Sequence, residues 1–508
     1  MYTGHGFNEW GIGDVDVVKV GDTYHLFHLL LPNHAYIAHA VSTDGLTWTR
    51  VQNALFVGHP GSWDDDMLWT MHVTPDPDRP GSWRMFYTGL ARREAGRIQR
   101  IGLAVSDDLY TWRRAGEGFP ISAAPEHYES SPEEGRGWVS FRDPYFCRVG
   151  EERWLLVSGR VNTGPVVRRG CVALAREVGA RHFEFGPPLH FPRLYDDVEV
   201  PCLFELDGQW YLLGSIREDV KVHYWYAARP EGPFGNYFDN VLLPRGNYAA
   251  RVCREEGRST LWNFYYLDSK IKGTGNMLPP PKEIFTGRDG QLKLRSFSGF
   301  DQKVVKTYTT EALAGFGPVH HNPAAEQTER GLSFWLSCET SFETFLLPEP
   351  QADFRLRATF ELAQLGKCGL VLRMSDETDG YFISLDLVKG LIQARASGRN
   401  PGGGLEEAFI FKHLQANYFV AKRGDLRYEM ELVAYGRYIE FSLDGEVLLT
   451  FADDRYRSGH IGYYTEGARL RIDRLELDVL AEPRGELHAE PSLPVGPMEP
   501  QDTGVEHA

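Results

Sequence analysis

Three acidic residues stand at nearly constant distances ahead of aromatic strands. Asp143 lies eleven residues before Trp154, Glu199 eleven before Trp210, and Asp14 ten before Tyr24. A carboxylate at the mouth of an apolar run is costly unless it is paired, hydrogen-bonded or left in water. One such aspartate reads as a turn former; three in matched register point to a shared site. Carboxyls crowded together raise at least one pKa, and a carboxyl that keeps its proton near neutral pH can act as an acid. Two of them flanking an acetal are the minimum for glycoside hydrolysis, and a third can stabilise an oxocarbenium-like sugar. Arg142, next to Asp143, is placed to orient that carboxylate or to bind a sugar hydroxyl.

The same count in the two remaining strand-rich units reaches His72, eleven before Trp83, and Arg251, eleven before Trp262. Asp16 projects to the same face as Asp14, two residues on. Trp10, Trp63 and Trp69 offer flat apolar surfaces for a sugar ring, or packing for a core. His72, Asp16, Trp10, Trp69 and Arg142 therefore join the three carboxylates as candidate substrate-binding residues. The sequence holds no His-x-x-x-His pair, no carboxylate-rich calcium loop and no Gly-rich phosphate loop. No metal and no cofactor are expected.

These residues need a scaffold that brings distant strands to one point. Residues 40–48 read "AVSTDGLTW" and residues 104–112 read "AVSDDLYTW", each after an aromatic strand. A repeat at this spacing suggests a propeller. "RWLLVSG", "QWYLLGS" and "TLWNFYYL" extend the series to five strand-rich units without sustained helical periodicity. The expectation is an all-β chain: a five-bladed β-propeller over residues 1–274, whose inner strands line a central channel. From residue 322 to 481, stretches such as "FRLRATFEL" and "YIEFSLDGEVLLTF" alternate apolar and polar residues, as half-buried strands do. This region reads as a concanavalin-like β-sandwich. Residues 275–321 read as a connector, and the Pro- and Glu-rich residues 482–508 as a disordered tail.

The bulk properties narrow the partners. A chain of 508 residues with net charge −16 lacks the clustered cations that nucleic-acid binding requires. No run approaches the roughly 18 apolar residues of a membrane helix. The six cysteines lie mostly inside apolar runs and read as free buried thiols, which fits a reducing, cytoplasmic setting. A small carbohydrate, an oligosaccharide or a fructan- or arabinan-type glycan, is the expected partner. The oligomeric state is open.

With these residues in place, the chain resembles the five-bladed propeller glycosidases of families 32 and 68, the β-fructofuranosidases and fructosyltransferases. "FRDPYF" matches their Arg-Asp-Pro motif, and "VEVPCLFELDGQWYLL" is similar to their Glu-Cys-Pro motif and following strands. "GDTYHLFH", "AHAVSTDGLTW" and "FYTGL" resemble further segments. The resemblance implies Asp14 as nucleophile, Asp143 as transition-state stabiliser and Glu199 as acid/base in a retaining mechanism. It departs at the Asn-Asp-Pro-Asn-Gly motif, which here reads Gly13-Asp14-Val15-Asp16-Val17 and makes Asp16 the fallback nucleophile, and at Val200, where the family has cysteine. "MLWTMHV" stands roughly where the family has a Ser-Gly pair. The Asp14-to-Tyr24 stretch resembles family 43 about as well, which implies an inverting arabinofuranosidase or related pentosidase. A fructosyltransferase would use the same residues, and a non-catalytic sugar-binding propeller would need no acid at all.

Overall fold

Runs rich in β-branched and aromatic residues, punctuated by Gly, Asp and Asn, fold almost wholly into strands. The few helical turns among the described residues are short 3-10 segments. The computed structural model describes residues 1–4, 11–266, 276–313, 315–364, 366–375, 379–400, 408–422, 424, 426–484 and 487–488. Five separate antiparallel sheets come first. Their inner strands are Gly11–Val20, Met67–Pro75, Arg142–Val149, Glu199–Leu206 and Asn247–Glu255. Each is hydrogen-bonded to the next strand in sequence, and each blade adds further strands outward. The first and last blades close the ring: Glu255 accepts from Lys19 Nζ at 2.9 Å and from the Tyr24 hydroxyl at 2.8 Å.

The two copies of the repeated nonamer have a structural role. In each, a serine and the aspartate two residues on tie down the turn between the third and fourth strands. Asp44 Oδ1 accepts the Leu46 and Thr47 amides at 2.8 and 2.7 Å. Asp108 Oδ1 accepts the Tyr110 and Thr111 amides at the same distances, 2.8 and 2.7 Å. An aspartate that bonds its own backbone two and three residues ahead explains why the motif recurs with the blade.

The fifth blade reaches further than its sequence suggested. Its outer strands are Lys282–Thr286 and Leu292–Arg295, inside the segment expected to be a connector. The run Leu278-Pro279-Pro280-Pro281 directly ahead of them reads as a loop, which hid them. Leu487 and His488, within the expected tail, pair in parallel with Thr49 and Arg50 at the rim of the first blade.

Strands from Val304 onward form one thirteen-stranded sheet that folds over itself into a sandwich. Its start at Val304 precedes the expected residue 322, because the short strand Val304–Thr309 pairs with the far C-terminal strand. That strand, His460–Leu480, runs for 21 residues and is bonded along both edges. Val304–Thr309 and Ser333–Leu346 lie on one side; Lys367–Met374 and Phe354–Gln364 lie on the other. The sandwich core continues into the propeller: Leu46, Tyr265, Phe297 and Phe300 pack in the same apolar cluster as Leu356, Leu432 and Phe441. Asn247 Nδ2 donates to Thr450 O at 3.0 Å and Gln415 Nε2 to Arg245 O at 2.7 Å across the junction. All six cysteines are free thiols, five of them buried. Among the described residues, no helix is long and apolar enough to cross a membrane.

Candidate active site

The inner strands share a local irregularity. Each breaks register near its start: between Ile12 and Val15, Trp69 and Met71, Arg142 and Tyr145, Glu199 and Cys202, and Tyr248 and Arg251. These are β-bulges, which bend a strand and re-aim its side chains. Matched by their pairing, Glu199 is level with Arg142, Tyr248, Trp69 and Ile12. Asp143 is level with Val200 and Ala249, and all three have positive φ, at 60°, 51° and 55°. Asp14 is level with Pro144 and Pro201. A left-handed backbone at non-glycine residues is strained, and such strain gathers at functional sites.

The three carboxylates therefore do not share one structural address, as counting back from the aromatics implied. They occupy three successive positions of the same bulge in three blades. The count slips because its reference tryptophans differ in register: Trp154 pairs with Cys147, whereas Trp210 pairs with Glu205. The bulge nevertheless brings Asp14, Asp143 and Glu199 into one cavity of about 350 Å³ at the N-terminal ends of the inner strands. Arg142 and Trp69 line it too, with His34, Gln99, Arg136, Trp138 and Asp197.

Each carboxylate has its own partners. Asp14 Oδ2 accepts the Thr70 hydroxyl. Burial, with Asp143 and Glu199 close by, overrides that bond and pushes Asp14 up to about 7. Asp143 Oδ2 accepts the Val200 amide at 3.0 Å, and the Asp143 amide donates to Thr88 Oγ1 at 3.1 Å. Glu199 Oε1 accepts Arg142 Nη2 at 2.6 Å, and its Oε2 accepts the Tyr248 hydroxyl. Burial raises Glu199 above the ordinary glutamate range; Arg142 opposes this, while Asp143 and Asp197 reinforce it. Asp197 is itself held below the usual range by Arg142 and Arg136, despite its burial. The result is a pocket of crowded acids in which two carboxyls gain proton affinity and a third is locked as an anion.

Two candidates lie elsewhere. Asp16 and His72 line a second cavity, of about 510 Å³, at the C-terminal ends of the inner strands. A strand advances about 3.3 Å per residue, so two positions beyond Asp14 is roughly 7 Å deeper in the channel. There His72 Nδ1 meets Asp16 Oδ2 at 3.1 Å, and Nε2 meets Phe146 O at 3.0 Å. The expectation that both residues bind substrate, or that Asp16 serves as nucleophile, is corrected by that placement. Arg251 is a buried strut, donating to Pro144 O at 2.9 Å and to Pro201 O. Trp63 stacks on Tyr87 at 5.7 Å within the propeller core. Trp10 lies outside the described residues.

Sequence reasoning missed Thr70, Gln99, Trp138, Asp197 and Tyr248. Tyr248 had a signal: "YAA" stands at the bulge of the fifth blade where "EVP" stands in the fourth. Asp197 and Thr70 had none, since a buried Asp beside another Asp and a Thr between aromatics are common strand-end residues.

The model of the Glycosyl hydrolases family 32 N-terminal domain matches residues 15–251, beginning one residue past Asp14. Among curated proteins none matches the chain. Among solved structures, fructan 1-exohydrolase IIa from Cichorium intybus is 13% identical with a TM-score of 0.71, over 96% of this chain and 98% of that one. A β-fructofuranosidase from Bombyx mori is 15% identical with a TM-score of 0.63, over 93% and 91%. A fructofuranosidase from Schwanniomyces occidentalis is 13% identical with a TM-score of 0.65, over 94% and 97%. These proteins share the two-part fold over nearly the whole chain, and residues 15–251, which hold Asp143 and Glu199, match the family 32 N-terminal domain: the chain is a glycoside hydrolase.

Proposed function

We propose that the protein cleaves a fructofuranoside by double displacement, with Asp14 as nucleophile, Glu199 as acid/base and Asp143 as stabiliser of the sugar. The observation that carries this reading is the convergence of three carboxyls from three blades in one cavity, each with its own hydrogen-bond partners. Burial and anionic neighbours favour the protonated form of Glu199, as an acid requires. Arg142 and Tyr248, already bonded to both oxygens, receive the carboxylate that remains once the proton has passed to the leaving oxygen. The same group then takes a proton from water.

Asp14 must attack as an anion. Positive charge developing at the anomeric carbon favours that form, and the Thr70 hydroxyl orients one oxygen. The proton shared by the crowded acids then rests on Glu199. Asp143, fixed by the Val200 amide, is positioned to accept sugar hydroxyls. Trp69 and Trp138 supply apolar walls. Fructosides are favoured because structural neighbours were solved with 1-kestose, sucrose and fructosylnystose.

The test is hydrolysis of sucrose, 1-kestose and an aryl fructofuranoside, with the first-formed anomer followed by NMR. Retention at the anomeric carbon is expected. Inversion would remove Asp14 as a covalent nucleophile, and cleavage of arabinofuranosides alone would remove the fructoside assignment.

A further inference from the structure

Glu199 is bonded to a buried arginine that has other obligations. A single nitrogen of Arg142, Nη2, donates to Glu199 Oε1 at 2.6 Å and to Asp197 Oδ2 at 3.0 Å. Arg142 Nε also lies 3.6 Å from Asp143 Oδ2, its Nη1 donates to the Ser140 hydroxyl, and Gln99 Oε1 stands 3.5 Å from that nitrogen. Asp197, its side chain 1% exposed, accepts a second guanidinium: Arg136 Nη2 at 2.6 Å. Its other oxygen accepts Ser140 Oγ at 3.0 Å.

We infer that Asp197, backed by Arg136, is a positioning residue that divides the charge of Arg142 and so sets how tightly Glu199 holds its proton. This deepens the reading of Glu199 as the acid and rests on it. An undivided guanidinium at 2.6 Å would hold a carboxylate ionised. An ionised Glu199 cannot protonate a leaving group. Asp197 draws on the same nitrogen and adds a negative charge of its own, so Glu199 keeps its proton in spite of Arg142. Arg136 acts in the opposite sense, by neutralising Asp197. The groups facing Glu199 are Arg142, Asp143, Asp197, Tyr248 and Asp14. Those facing Asp197 are Arg142, Arg136, Arg160 and Cys171. Asp197 and Arg136 reach Glu199 through Arg142, which bonds both carboxylates.

The experiment is a pH titration of carboxyl-13C glutamate by NMR, with the Glu199 signal assigned by its loss in Glu199→Gln. In Asp197→Asn the Glu199 midpoint falls by about one pH unit. In Arg136→Gln it rises. Opposite signs are the signature, because general damage to the pocket would not move the two variants in different directions. Arg136 sits nearer the surface, so its variant reads the coupling even if Asp197→Asn does not fold. With substrate, the alkaline limb of kcat/KM follows the same two directions, and Asp197→Asn loses more rate on an alkyl than on an aryl fructoside. A Glu199 titration unmoved in Asp197→Asn, or moved the same way in both variants, overturns the proposal. The NMR midpoint is independent of turnover. Shifted midpoints in a protein that cleaves no fructoside would uphold the coupling and sink the substrate assignment.

Discussion

The two mouths of the propeller channel are made from the same five strands, yet they treat an aspartate in opposite ways. Asp16, at the far mouth, is paired: its Oδ2 meets His72 Nδ1 at 3.1 Å and accepts the Val73 amide at 2.5 Å. Asp14, two residues earlier, has one hydroxyl and two carboxylates for neighbours. The difference lies in the bulge. Beyond it the strands are regular, and side chains across the lumen meet in pairs. Within it successive residues turn toward one space, and acids that would otherwise alternate are forced together. Reactivity here is a consequence of incomplete pairing, which the regular part of the same strand avoids.

The largest expected contrast is in rate. Asp14→Ala and Glu199→Ala each lower kcat on an unactivated fructoside by about 10³-fold or more, measured by initial rates. His72→Gln, at the other mouth, leaves kcat unchanged, and a comparable loss there would break the comparison. Next is stability. Asp16→Ala strands His72 in a buried site and costs about 3 kcal/mol, read from denaturant unfolding. Asp14→Asn has the reverse sign. A carboxyl whose folded pKa is raised to about 7 binds its proton more tightly folded than unfolded, so stability is lost as pH climbs from about 4 to 7. Removing that group raises Tm at pH 8 and leaves it unchanged at pH 3. Were Asp14→Asn destabilising at pH 8, the idea of a crowded, unsatisfied mouth would be wrong.

Smaller effects sharpen the picture. Activity belongs to the form in which the near-mouth acids retain one proton. The rate on a fructoside therefore declines on the alkaline side, as that proton leaves Glu199. Asp143→Asn removes a negative neighbour, so the decline moves to lower pH as total activity falls. At the rim of the blades, Asp108→Ala costs about 1 kcal/mol for its lost turn bonds. Asp44→Ala costs more, since Asp44 also accepts Lys303 Nζ at 2.7 Å. Thermal melts of the two variants compare the twin repeats directly.

Much of this was legible in residue order. Alternation in "YIEFSLDGEVLLTF" and the recurring nonamer gave the strands and the blade count, since apolar periodicity and turn chemistry are local. Asp14, Asp143 and Glu199 were found because each precedes an aromatic strand. Their true offsets were not visible, because a bulge inserts a residue without changing composition. Asp16 was misplaced for the same reason: spacing of two means a common face, but not a common depth. The outer strands of the fifth blade, Lys282–Thr286 and Leu292–Arg295, were lost behind a Pro-rich interruption. The dependence of Glu199 on Arg142, Asp197 and Tyr248 is a meeting of side chains from three blades, which no linear pattern encodes.

One strand has a consequence for how this chain is made. His460–Leu480 serves four others at once and emerges from the ribosome after all of them. Until it arrives, Ser333–Leu346, Phe354–Gln364 and Lys367–Met374 each present a bare edge that invites pairing with another nascent chain. The first four strands of every blade are synthesised by residue 295, ahead of all of those edges. A stop codon shortly before residue 460 would therefore leave the propeller trailing an adhesive, unfinished half. That species belongs in inclusion bodies.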